Sequence, residues 1–131
     1  MELLIVVVLV GILAAVGYPA MTKAMERAYW RAAQDVLKTI YAGERTYFFA
    51  NNAYYNVDES VAGMTEWRKI YTDDPNLGSI PVKYCVTAAA ATTFTAWACR
   101  SSTACSAGCG AEKGISINEV RTIDTSDWPM P

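Results

Sequence analysis

A chain of 131 residues, 53% of them hydrophobic, with a net charge of −2 and a pI near 5.0, has room for one domain and an appendage. The acidic balance argues against a general nucleic-acid binder. Histidine is absent, which removes His-based triads, His metal sites and imidazole pH switches, and no GxGxxG, phosphate-loop or zinc-protease motif occurs. The sequence therefore offers no catalytic residue, no metal site and no cofactor site.

The first stretch, MELLIVVVLVGILAAVGYPAM, carries one carboxylate at Glu2 and then no charge from Leu3 to Thr22. As a helix these twenty residues span about 30 Å, the thickness of a bilayer's hydrocarbon core. A signal peptide would open with basic residues and close on a small-residue cleavage site. A plain anchor leaves Glu2 unexplained, since a carboxylate in lipid needs a partner. A core helix of a soluble protein is rarely apolar on every face for five turns. Gly11, Gly17 and Pro19 all weaken a helix, so a kink or loosening is expected between Gly11 and Pro19.

The order Glu2-Leu3-Leu4-Ile5-Val6-Val7, then Gly11-Ile12-Leu13-Ala14-Ala15, then Pro19 closely resembles the processed N-terminal segment of type IV pilins and of the pseudopilins of type II secretion. Mature members of that family normally begin three residues upstream of the position held by Met1, at a methylated phenylalanine. Neither that residue nor the basic leader cut from it is present in this sequence. The resemblance implies a subunit stored in the inner membrane of a bacterium and drawn by pilus or secretion machinery into a helical homo-oligomeric filament on the cell surface. It also implies that Glu2 pairs with a neighbouring subunit's terminal ammonium, that Leu3, Leu4, Ile5, Val6 and Val7 pack in the filament core, and that the helix yields around Gly11, Gly17 and Pro19.

From Ala20 the pattern turns amphipathic. Met21, Met25, Ala28, Ala32, Val36, Ile40, Tyr41 and Phe48 form an apolar series, while Lys23, Glu26, Arg27, Arg31, Asp35, Lys38, Glu44 and Arg45 supply a polar side. The row Lys23, Arg27 and Arg31 reads either as a solvated face or as a contact with neighbouring subunits. Beyond Ala20 only Gly43 interrupts helix-forming residues before Asn51-Asn52, so one helix of about 75 Å is expected over residues 1–50, with 1–22 as its membrane or filament-core part and 20–50 as its amphipathic half. Eight aromatics from Tyr29 to Tyr55, on the helix and at the start of the connector, suit a helix–head interface better than conduction along a fibre.

The remainder, residues 51–131, is expected to form a globular head. A connector over 51–79, rich in Asn, Asp and Gly, reads as surface loop with a short helix around Met64 to Tyr71. Strands are expected at Ile80 to Ala88, Thr92 to Arg100 and Gly114 to Val120, with Tyr84, Val86 and Phe94 facing the helix and Cys85 and Cys99 turned away. Four cysteines, Cys85, Cys99, Cys105 and Cys109, suggest disulfides and an oxidising compartment, and they lack the CxxC pairs of a zinc site or a redox motif. Strand parity permits a Cys85–Cys99 bridge if the turn centres near Thr92, with Cys105 and Cys109 closing a second small ring, one of three possible pairings. In the tail, 121–131, Trp128 is expected to dock on the head.

The expected fold is α+β, a long N-terminal helix packed by its C-terminal half on a small antiparallel sheet. The expected function is that of a pilus-like filament subunit. A pseudopilin is the alternative within the family: the sequence lacks an obvious C-terminal acidic calcium loop, although Asp124 and Asp127 keep that reading open. A single-pass anchored binding module is the alternative from another class.

Overall fold

The structure, a computed structural model, describes residues 2–58, 64–78, 80–100, 105, 108–110 and 112–128. Helix α1, Glu2–Asn51, is 50 residues long, about 75 Å at the usual rise. It runs unbroken through Gly11, Gly17 and Pro19, so in the single chain the expected loosening does not interrupt it. Proline removes only one backbone donor from the ladder, and the Thr22 hydroxyl donates to the Pro19 carbonyl at 3.0 Å. Asn52, at φ 55°, turns the chain off the helix, its N–H donating to the Phe48 carbonyl.

A short helix α2, Met64–Lys69, and a 3₁₀ turn, Pro75–Leu77, punctuate the connector. Asp74 caps that turn by accepting the Asn76 N–H. The connector is not the surface loop expected from its polar composition. Tyr54, Val57, Trp67 and Ile70 are buried, and Val57 exchanges both backbone hydrogen bonds with Val86. Four apolar residues spaced through polar sequence are enough to pull it onto the core. Glu59 and Gly63 of that segment lie outside the described residues.

The sheet is an antiparallel meander of β1 (Lys83–Ala90), β2 (Thr93–Cys99), β3 (Gly114–Asn118) and β4 (Ile123–Asp124), in that order across the sheet. The two-residue strand β4 falls in what composition marks as tail. Tyr84, Val86, Phe94, Ala96, Ala98, Ile115 and Ile117 point from the sheet into the main core, where Ala33, Leu37 and Ile40 of α1 meet them. Trp128 is fully buried there, and its carbonyl accepts the Trp30 indole N–H at 2.9 Å. The tail beyond it, Pro129 to Pro131, lies outside the described residues.

The core stripe of α1 is rotated from the one expected. Ala28 and Ala32 are exposed, and the buried series is Ala33, Leu37, Ile40, Gly43, Glu44. Glu44, assigned to the polar side by its charge, falls on the buried stripe because it follows Ile40 by one helical turn. Gly43 lets the connector close on the helix. A Cβ at that position would stand 2.2 Å from the Ile70 carbonyl oxygen and 2.7 Å from Thr72 Oγ1.

Candidate functional site

The feature that the head leaves uncovered is the first half of α1. Ten residues, Leu3 to Val10 with Ile12 and Leu13, are between 51% and 83% exposed, and Tyr18, Met21 and Met25 continue the surface. By length and composition this is a helix able to cross a membrane. Leu3, Leu4, Ile5, Val6 and Val7 all belong to it. Glu2 is the first helical residue, while its side chain and Met1, which bears on any pairing at the N-terminus, lie outside the described part. At Gly11 and Gly17 an added Cβ would meet nothing within 4 Å, so packing within the chain asks for neither glycine.

A clamp marks where the helix reaches the head. Arg100, just after β2, stands 3.3 Å from the Glu26 carboxylate, donates to the Pro81 carbonyl at 2.9 Å and lies 4.8 Å over the Tyr29 ring. One guanidinium thus joins α1 to both ends of the β1–β2 hairpin, and its planar fork suits three partners at once. Neither its partners nor their distance in sequence was legible from the chain. Further along, aromatic rings fill the interface as expected: Tyr41 meets Phe94, Phe48 stacks on Tyr54, and Tyr54 meets Phe94. Phe49 is the exception, exposed with Arg45 over its ring.

Glu44 is the one fully buried charged side chain among the described residues. Its Oε2 accepts the Tyr55 N–H at 3.0 Å, while Oε1 has no hydrogen-bond partner among the described residues. Burial pushes its carboxyl from the ordinary 4.5 up to about 7, against the opposing effect of the Tyr55 bond. Burial likewise raises the Tyr84 hydroxyl to about 12. Glu66 goes the other way: the Tyr55 hydroxyl and then Lys69 hold its carboxyl below the usual range.

The cysteines form two bridges, Cys85–Cys105 and Cys99–Cys109, not the expected Cys85–Cys99 and Cys105–Cys109. The β1–β2 ladder centres on Ala91, one residue before Thr92, which opposes Cys85 with Trp97 and Cys99 with Lys83. Cys85 and Cys99 share a face but are diagonal, about 7–8 Å apart, beyond a disulfide's reach. The segment after β2 instead supplies a partner to each, at Cα separations of 5.6 and 5.1 Å. Ser106 and Ala107 of that segment lie outside the described residues. With Trp97 the four cysteines make a second apolar cluster, on the sheet face away from α1.

Among the described residues no group of three or more His, Cys, Asp or Glu is placed to hold a metal ion. Asp124 instead accepts the Ser126 N–H. Comparisons with protein-family models, with curated proteins and with solved structures find no match to this chain.

Proposed function

We propose that the chain is the structural subunit of a type IV pilus-like filament, stored in a bacterial inner membrane and polymerised through residues 3–22 of α1. The observation that carries the reading is the uncovered apolar half of a helix whose other half is built into a head. Moving an aliphatic side chain out of water is worth about 1.5–3 kcal/mol. Ten such residues, each exposed by half or more, cost on the order of 10 kcal/mol or more in water, comparable to the whole stability of an ordinary domain. The segment therefore needs company, either lipid or the same segment of other copies.

The order of Glu2, Gly11, Gly17 and Pro19 favours the second fate over a simple anchor, because a permanent span has no use for a charge at its tip or for weak helical positions within it. In a filament Glu2 sits at the apolar core and is neutralised by a neighbour's terminal ammonium, which sets the axial register. The yielding of α1 between Gly11 and Pro19 belongs to that assembled state. The head, stapled by two disulfides, coats the outside.

Replacing Glu2 by alanine tests the reading. Assembly predicts loss of surface fibres, or loss of secretion if the subunit serves a secretion piston, with the protein still present in the membrane. Unchanged fibres together with unchanged secretion would sink the reading and favour a single-pass anchored binding module.

A further inference from the structure

The two disulfides touch. Cys99 Sγ, bonded to Cys109, lies 3.2 Å from Cys105 Sγ, bonded to Cys85. That is closer than the ~3.5–4.0 Å at which non-bonded carbon atoms make their best contact. The four sulfurs therefore form a row in the order Cys109, Cys99, Cys105, Cys85. Access to the row is uneven. Cys85, Cys99 and Cys105 are buried, whereas Cys109 is only half-buried, at the end of the row. Its neighbours Gly108 and Gly110 both take positive φ, 110° and 58°. Its sulfur rests on bare backbone: a Cβ at Gly114 would stand 2.1 Å from it.

We propose that Cys109 is a modification site for small-molecule thiols, and that Cys99 relays the exchange to the Cys85–Cys105 bridge. An incoming thiolate bonds to Cys109 Sγ, the Cys99–Cys109 bond breaks, and its electron pair leaves on Cys99 Sγ. The Cys99 thiolate then bonds to Cys105 Sγ, which it already touches. The Cys85–Cys105 bond breaks, and Cys85 leaves as a thiolate that takes a proton from water. Two disulfides are present before and two after, the mixed disulfide on Cys109 and a Cys99–Cys105 bridge, so no oxidant or reductant is consumed. Exposure selects Cys109 as the point of entry, and the 3.2 Å contact selects Cys105 as the next sulfur. The head can in this way carry a thiol adduct on its surface while keeping one of its two cross-links, now between Cys99 and Cys105.

The test uses the full chain in detergent micelles, treated with reduced glutathione at about pH 8, where a thiol of ordinary pKa about 8.5 is partly ionised. The reaction is quenched with acid, free thiols are alkylated with N-ethylmaleimide, and peptides are mapped by mass spectrometry without reduction. The expected product carries glutathione on Cys109, a Cys99–Cys105 bridge and maleimide on Cys85. Maleimide on Cys99 with the Cys85–Cys105 bridge intact overturns the relay. Glutathione on another cysteine, or on none, overturns the site. A second arm needs no added thiol. In Cys85→Ser the Cys105 thiol lies against the Cys99–Cys109 bridge, and the maleimide label is expected to shift from Cys105 to Cys109 during incubation at the same pH. Label that stays on Cys105 contradicts the contact.

Discussion

Glu44 is where a single residue departs furthest from what its side chain prefers. Its carboxyl is raised to about 7 by burial, and no cation among the described residues pairs with it. Arg45 beside it donates to the Tyr54 hydroxyl, and Lys69 is engaged with Glu66 and Tyr55. Because the native pKa exceeds the ordinary 4.5, the folded chain holds the proton more tightly. Stability from this group is complete below about pH 4.5, falls as pH rises toward about 7, and is flat above that. The full effect is of order 3 kcal/mol. Glu44→Gln keeps an acceptor for the Tyr55 N–H and removes the titration. Urea unfolding should show the variant more stable than the parent at pH 8, by up to about 3 kcal/mol, and equal to it near pH 4.5.

The glycines divide at the same scale. Gly43→Ala drives a methyl into the Ile70 carbonyl and should cost at least about 1–3 kcal/mol of head stability. Gly11→Ala and Gly17→Ala meet open space and should each favour the helix by about 1 kcal/mol in micelles, read as a gain in circular dichroism. If those two glycines serve the assembled state, the same pair of substitutions should reduce fibre yield while leaving the head unchanged.

At the scale of elements, α1 is held to the head by a stripe and a clamp. The stripe Ala33, Leu37, Ile40 carries the burial, and Arg100 fixes the helix where it leaves the head. Arg100→Ala should cost only about 1 kcal/mol globally, since the Glu26 pair is partly exposed. Its local effect should be larger: amide exchange is expected to speed up from Glu26 to Trp30 and to stay unchanged in β2 and β3. Uniform acceleration, or none, would argue against a clamp.

The elements differ in how far their residues announced them. The first three strands were legible, since Tyr84, Val86 and Phe94 alternate with Cys85, Thr95 and Trp97 and the faces came out as the alternation implied, whereas the two-residue β4 was not. The long helix was legible from its uninterrupted run after Pro19, although the stripe that faces the head was not. The disulfides were not, because a one-residue change in the centre of a hairpin moves every cross-strand pair by two. The burial of Glu44 was hidden by its charge, although its spacing from Leu37 and Ile40 carried the signal. The Arg100–Glu26 contact joins residues 74 apart, and no local pattern encodes a pair of that kind.

For the whole molecule the governing fact is imbalance: one end of α1 is buried in a head and the other is apolar and bare. A chain lacking residues 1–24 should fold to a soluble monomer with both disulfides, because among the described residues every core residue lies beyond that point. Sedimentation of that fragment checks this, and aggregation or loss of the disulfides would show that the apolar half supports the head.

The central claim is that residues 3–22 pack against copies of themselves. Cryo-electron microscopy of native filaments sheared from cells and shown to contain this chain tests it most directly. The account predicts a core of bundled α1 segments, with Glu2 of one subunit beside the N-terminus of the next and the sheet-bearing heads outside. Long and numerous filaments identify a pilus, and short, rare ones a secretion piston. Finding the chain only as membrane-embedded monomers, with no α1 bundle in any filament, would contradict it.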